Sequence, residues 1–110
     1  MEQIIGHRRG YAIAAPGANT NIFSVDVRPV YPCSAMRVTV SLTTTSVFNL
    51  RVTDGTTAYD LGLNGSVALV AGDLYTLSFG CHNGVTYNFR VETDSVIRYL
   101  QVDEIPTGAI

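Results

Sequence analysis

Along most of this chain apolar and polar residues alternate with a period of two. Met36, Val38, Val40 and Leu42 are interleaved with Arg37, Thr39, Ser41 and Thr43. Phe48, Leu50 and Val52 alternate with Asn49, Arg51 and Thr53, and Val85, Tyr87, Phe89 and Val91 with Thr86, Asn88, Arg90 and Glu92. The same rule fits Phe23-Val25-Val27, Tyr59-Leu61-Leu63, Val67-Leu69 and Tyr75-Leu77-Phe79. Alternation sends successive side chains to opposite faces, so each run reads as a strand with one buried face, the habit of antiparallel sheets. Asp54-Gly55 between two such runs is a hairpin signal, and Asn64-Gly65, Ala71-Gly72-Asp73 and Asn83-Gly84 break the chain at similar intervals. No window carries a sustained helical repeat. The pattern predicts strands near 21–28, 35–43, 46–53, 56–63, 66–70, 73–80, 85–92 and 96–104. Seven or eight antiparallel strands over one apolar core make an all-β, two-sheet β-sandwich, of which a jelly roll is the eight-stranded version; strand order stays open.

The ends differ from this middle. Residues 1–20 carry Gly, Pro and Ala around isolated apolar positions and read as an N-terminal arm, with 11–15 able to form an edge strand. The sandwich then covers 21–105. A tail, 106–110, follows because Pro106 lacks the N–H needed to continue a ladder. Both ends are expected to pack on neighbouring subunits, the alternative being simple fraying. Ile4, Ile5, Tyr11, Ile13, Ile105 and Ile110 are the candidate contacts.

Composition narrows the class. At 110 residues, 46% apolar and 15% charged, the chain can bury a core, and disorder is excluded. The net charge of −2 comes without a basic run, so no nucleic-acid partner is expected. All seven basic residues are arginine. Arginine is enriched at protein interfaces and lysine depleted, which suits faces that meet other subunits; nucleotide bias is the alternative. The start lacks a signal-peptide pattern, and no apolar stretch is long enough to span a bilayer, so no membrane partner is expected.

Little in the sequence points to catalysis. Cys33 and Cys81 lack metal-ligand spacing and are expected as reduced, buried thiols, a disulfide requiring an oxidising compartment. Cys81 and His82 are neighbours on a strand end and so point to opposite faces, which weighs against a nucleophile–base pair. Asp54, Asp73 and Asp94 fall in turns, and Asp103-Glu104 is too short for a calcium loop. No phosphate-binding glycine motif occurs. Tyr59, Tyr75 and Tyr87 lie on the inward phase of their strands, leaving Tyr11, Tyr31 and Tyr99 as surface aromatics. Arg37, Arg51 and Arg90 take outward positions, where they can pair with Asp26, Asp60 or Glu92 across strands or form a protein–protein face. No catalytic residue, cofactor or metal is expected.

The stretch from Leu63 through Leu77 (LNGSVALVAGDLYTL), the strand Gly84–Arg90 (GVTYNFR) and the closing Ile97–Ile105 (IRYLQVDEI) resemble small β-sandwich structural proteins of tailed bacteriophages. These are of the capsid decoration (cement) or neck and tail accessory type. The resemblance implies a homo-oligomer, often a trimer, seated on major capsid or other virion proteins and bridging neighbouring subunits. Its place would be the virion, assembled in the host cytoplasm. The expected function is therefore a non-enzymatic capsid decoration protein. A neck or tail component and a carbohydrate- or receptor-binding β-sandwich module are the alternatives.

Overall fold

The computed structural model describes residues 6–31, 33–82 and 84–106. Strand β2 (Ser34–Leu42) lies inside the larger sheet, and its Met36, Val38, Val40 and Leu42 are wholly buried. It pairs antiparallel with β7 (Ile97–Pro106) on one side and with β5 (Leu74–Gly80) on the other. β1 (His7–Ala14) adds to the far side of β7, giving the order β1-β7-β2-β5. The second sheet has β3 (Phe48–Thr53) between β4 (Ala58–Gly62) and β6 (Thr86–Val91), again antiparallel. The molecule is thus an all-β sandwich of four strands on three.

Turn chemistry sets the connections. The β3–β4 hairpin closes at Asp54-Gly55, where the Asp54 carboxylate accepts the N–H groups of Thr56 (2.9 Å) and Thr57 (2.8 Å) and Gly55 takes φ 94°. Those two bonds hold the Asp54 carboxyl below its ordinary value. After β4, a tight turn over Leu63–Ser66 has Asn64, Gly65 and Ser66 all near φ 60°. The core is centred on Phe89, which stacks on Phe48 at 5.4 Å between ring centroids and meets Phe23 edge-on at 6.0 Å. Each such buried side chain contributes about 1.5–3 kcal/mol.

Two predicted strands are corrected. Residues 21–28 do not form one. The segment 19–27 runs beside β6, with Asn19, Ile22 and Val27 donating N–H bonds to Val91, Phe89 and Tyr87. Its nine residues span only five on β6, too many for matched rungs, so the excess loops outward. The Asn88 side chain replaces a missing rung, accepting the Phe23 N–H at 3.0 Å and donating to its carbonyl at 2.8 Å. Phe23 reaches β1, where a Cβ on Gly10 would come within 2.9 Å of its ring. The segment therefore fills the fourth place in the smaller layer. Residues 66–70 contribute a single bridge, Ser46 to Leu69, and the buried Leu69 plugs the core alone. β1 begins at His7, within the stretch read as an arm. β7 extends to Pro106, which sits opposite Ser34, two residues past the predicted strand end at 104, because only the missing proline N–H is lost to the ladder.

Candidate functional site

The most tightly organised polar group is Glu104, with no exposed surface. Its place on β7 is in phase with Leu100 and Val102, so it points toward the core. There it accepts Arg9 Nε at 2.8 Å, Ser34 Oγ at 2.7 Å, Tyr31 N–H at 3.0 Å and Val30 N–H at 2.9 and 3.1 Å. Burial pushes its carboxyl up. The Val30 N–H, the Arg9 guanidinium, the Tyr31 N–H and the Ser34 hydroxyl together outweigh that and hold it at about 2. A carboxylate so fully engaged is a clasp that joins β1, the loop before β2 and β7, and it has no proton to give near neutral pH. The sequence reading missed it by weighing Asp103-Glu104 only as a calcium loop; the period-two phase was the available signal.

On the outer face of the larger sheet Asp103 receives Arg37 at 3.3 Å and the Gln101 amide at 3.0 Å, while Tyr99 donates to Gln101 at 2.7 Å. Arg51 meets its cross-strand partner Asp60 at 3.2 Å. Arg90 donates to the Asn21 side chain at 2.7 Å. The three arginines named as interface candidates are each engaged within the chain. Ile105 is half-buried opposite Ala35, Tyr11 and Ile13 are exposed on β1, and Ile4, Ile5 and Ile110 lie outside the described residues.

Both cysteines are free thiols, and Cys33 is exposed rather than buried. Cys81 is half-buried, and burial pushes its thiol up against the opposing Ser34 hydrogen bond. Its N–H donates to the Ser34 carbonyl, so alternation turns Cys33, the next residue along, to the other face. Among the described residues no three His, Cys, Asp or Glu side chains gather as metal ligands. An open basin of about 280 Å³ includes Thr43, Thr44, Asp94 and Ser95. Ser95 already bonds Thr44, Thr43 bonds Val96, and Asp94 accepts the Ala18 N–H, so these groups are spent on joining loops.

The exposed large apolar side chains are distributed unevenly. Tyr11, Ile13, Val25 and Val30 lie along the edge made by β1 and segment 19–31. Tyr59, Leu61, Val67, Val70 and Leu74 lie along the opposite edge, made by β4, β5 and the turns between them. Of the ten such side chains among the described residues, only Val96 falls elsewhere. Tyr59 was expected in the core and is 54% exposed. Its inward phase is right, since it stands opposite the buried Val52, as Leu61 does opposite Leu50. β4 is an outermost strand, however, and nothing among the described residues covers its flank. Between the sheets at this edge a cavity of about 180 Å³ opens, bounded by Leu50, Val52, Tyr59, Leu61, Phe79 and Tyr87.

Charge divides in the same way. The β1 edge carries Arg8, Arg9 and Arg28 beside Asp26, with Arg9 already paired to Glu104. From Val52 to Phe89, the stretch that forms the β4–β5 edge, there are three aspartates (Asp54, Asp60, Asp73) and no lysine or arginine, with Asp60 already paired to Arg51 of the adjoining β3. No protein-family model matches this chain, and no curated protein and no solved structure matches it.

Proposed function

We propose that this protein is a non-enzymatic structural subunit of a virion and, within that class, a capsid decoration protein that bridges neighbouring subunits. The observation that carries the reading is that, among the described residues, nine of the ten exposed large apolar side chains gather onto two opposite edges of the sandwich. Exposed apolar side chains gathered on an edge mark a site of protein–protein contact, and strand edges left unpaired invite it. A decoration protein needs little more: a rigid body, sticky flanks and many copies whose modest contacts add up through avidity. The resemblance of roughly residues 45–105 to phage sandwich proteins directs the reading to the virion.

The test is quantitative mass spectrometry of purified particles of the virus that encodes the protein, paired with thermal rupture of heads made with and without it. The expected result is a fixed ratio to the major capsid protein and earlier rupture of heads that lack it. Absence from particles overturns the virion reading, and presence on tails alone moves the protein to the neck or tail. The edge-on pair Tyr11–Tyr99, 5.6 Å between centroids on an outer face, is the one feature that favours glycan binding. A sugar array checks that reading.

A further inference from the structure

We infer that copies of this chain dock head to tail, the β1 edge of one against the β4–β5 edge of the next. The inference rests on the assembly reading above and names the partner: a second copy.

Three observations fix the pairing. The first is direction. β1 is antiparallel to β7, β7 to β2 and β2 to β5, so β1 and β5 run in opposite senses at the two ends of one sheet. A neighbour's β1 laid beside β5 therefore continues the sheet as an antiparallel ladder without inverting either copy. The lengths agree, eight residues on β1 and seven on β5.

The second is charge. Joining two β1 edges would gather Arg8 and Arg28 of both copies in one interface, and joining two β4–β5 edges would do the same with Asp54 and Asp73. The crossed arrangement brings the arginine edge to the aspartate edge. Arg8 and Asp73 are both exposed, and neither has an ion-pair partner among the described residues. Like charges across an interface cost several kcal/mol, so this selects among the pairings.

The third is the match of apolar surface, layer by layer. In the larger sheet, Tyr11 and Ile13 of one copy share a face with Leu74 of the next. In the smaller layer, segment 19–27 with its bare Val25 comes to Tyr59 and Leu61, whose flank the single chain leaves open. Contacts between unlike edges are heterologous, and they close into a ring when the rotation allows.

The experiment uses two full-length variants, Ile13→Glu and Leu74→Glu, both at exposed positions, checked for an unchanged β-sheet spectrum and compared with wild type by light scattering over a range of concentrations. Wild type is expected as a discrete multiple of the chain mass. Each variant is expected to associate on the order of a hundredfold more weakly, because an unpaired charge is buried. The equimolar mixture is the decisive sample. The intact β4–β5 edge of the Ile13→Glu chain meets the intact β1 edge of the Leu74→Glu chain, giving a one-to-one dimer that neither variant forms alone. A monomeric wild type, a variant that keeps the wild-type mass, or a mixture that stays monomeric overturns head-to-tail docking. If either variant unfolds, Tyr11→Glu or Val67→Glu takes its place on the same edge. Assembly in solution without presence on particles would refute the virion reading alone; presence on particles as a monomer would refute only this docking.

Discussion

Glu104 shows how one side chain can tie three parts of a chain together. Its folded carboxyl titrates at about 2, below the ordinary 4.5, so the unfolded chain holds this proton more tightly than the folded one. The resulting stabilisation is complete above the ordinary value and is lost as pH falls toward 2. By linkage it amounts to at most about 3 kcal/mol. Glu104→Gln is therefore expected to lower the urea-unfolding free energy by about 3 kcal/mol at pH 7, since it also leaves Arg9 without its anion. The gap between variant and wild type is expected to close as the titration is repeated from pH 5 down to pH 2.5; a gap independent of pH would show that the carboxylate charge is not what holds the clasp. The residue's inward direction was legible, because Leu100, Val102 and Glu104 share a phase. Its partners were not, for Arg9, Val30 and Ser34 lie 70 or more positions away in the chain, and only folding brings them together.

The regular strands could be read from the sequence wherever two ladder partners agreed with the alternation, as in β2, β3 and β6. Where one partner was irregular the reading failed. Phe23, Val25 and Val27 alternate as a strand should, yet Asn88 satisfies the backbone of Phe23 through its side chain, and the segment departs from the ladder. A glycine exposes the dependence between the two layers: Gly10 on β1 leaves the space that the Phe23 ring occupies. Gly10→Ala forces the ring or the strand to shift and is expected to cost about 1–3 kcal/mol in a thermal or urea melt. Gly55→Ala serves as the contrast. Nothing lies within 4 Å of its added Cβ, so its loss reflects the strained φ of 94° alone. Combining Gly10→Ala with Phe23→Leu is expected to recover part of the first loss, which a double-mutant comparison would measure.

For the molecule as a whole, the sequence supplied the parts of the two edges without their arrangement. Tyr59 and Leu61 carry the right phase for a core, and period alone cannot tell an inner strand from an outermost one. Nor could the count of arginines and aspartates show that the fold would leave Arg8 and Arg28 on one edge and Asp54 and Asp73 on the other. Hydrogen exchange offers a check at this scale. Amides of β2 and β7, paired on both sides, are expected to exchange slowest in every sample. Those of β5 that face away from β2 are expected to gain protection in assembled wild type and to lose it in Ile13→Glu, a substitution on the opposite edge of the same chain. Equal β5 protection in both would argue that the edge stays bare.

The pairing of His7 with Glu104 has a mechanical side. Because β1 and β7 are antiparallel neighbours, the start of one lies beside the end of the other. A force separating residues 7 and 106 would act across the ladder and peel β1 away rung by rung, rather than sliding the strands against all their bonds at once. The first rungs under load hold the Glu104–Arg9 clasp. The chain has thus placed its strongest polar knot at the corner where tearing would begin. Once that knot gave way, the strand lost would be the one whose edge receives a neighbour, so under tension such an assembly would shed its joints before its cores.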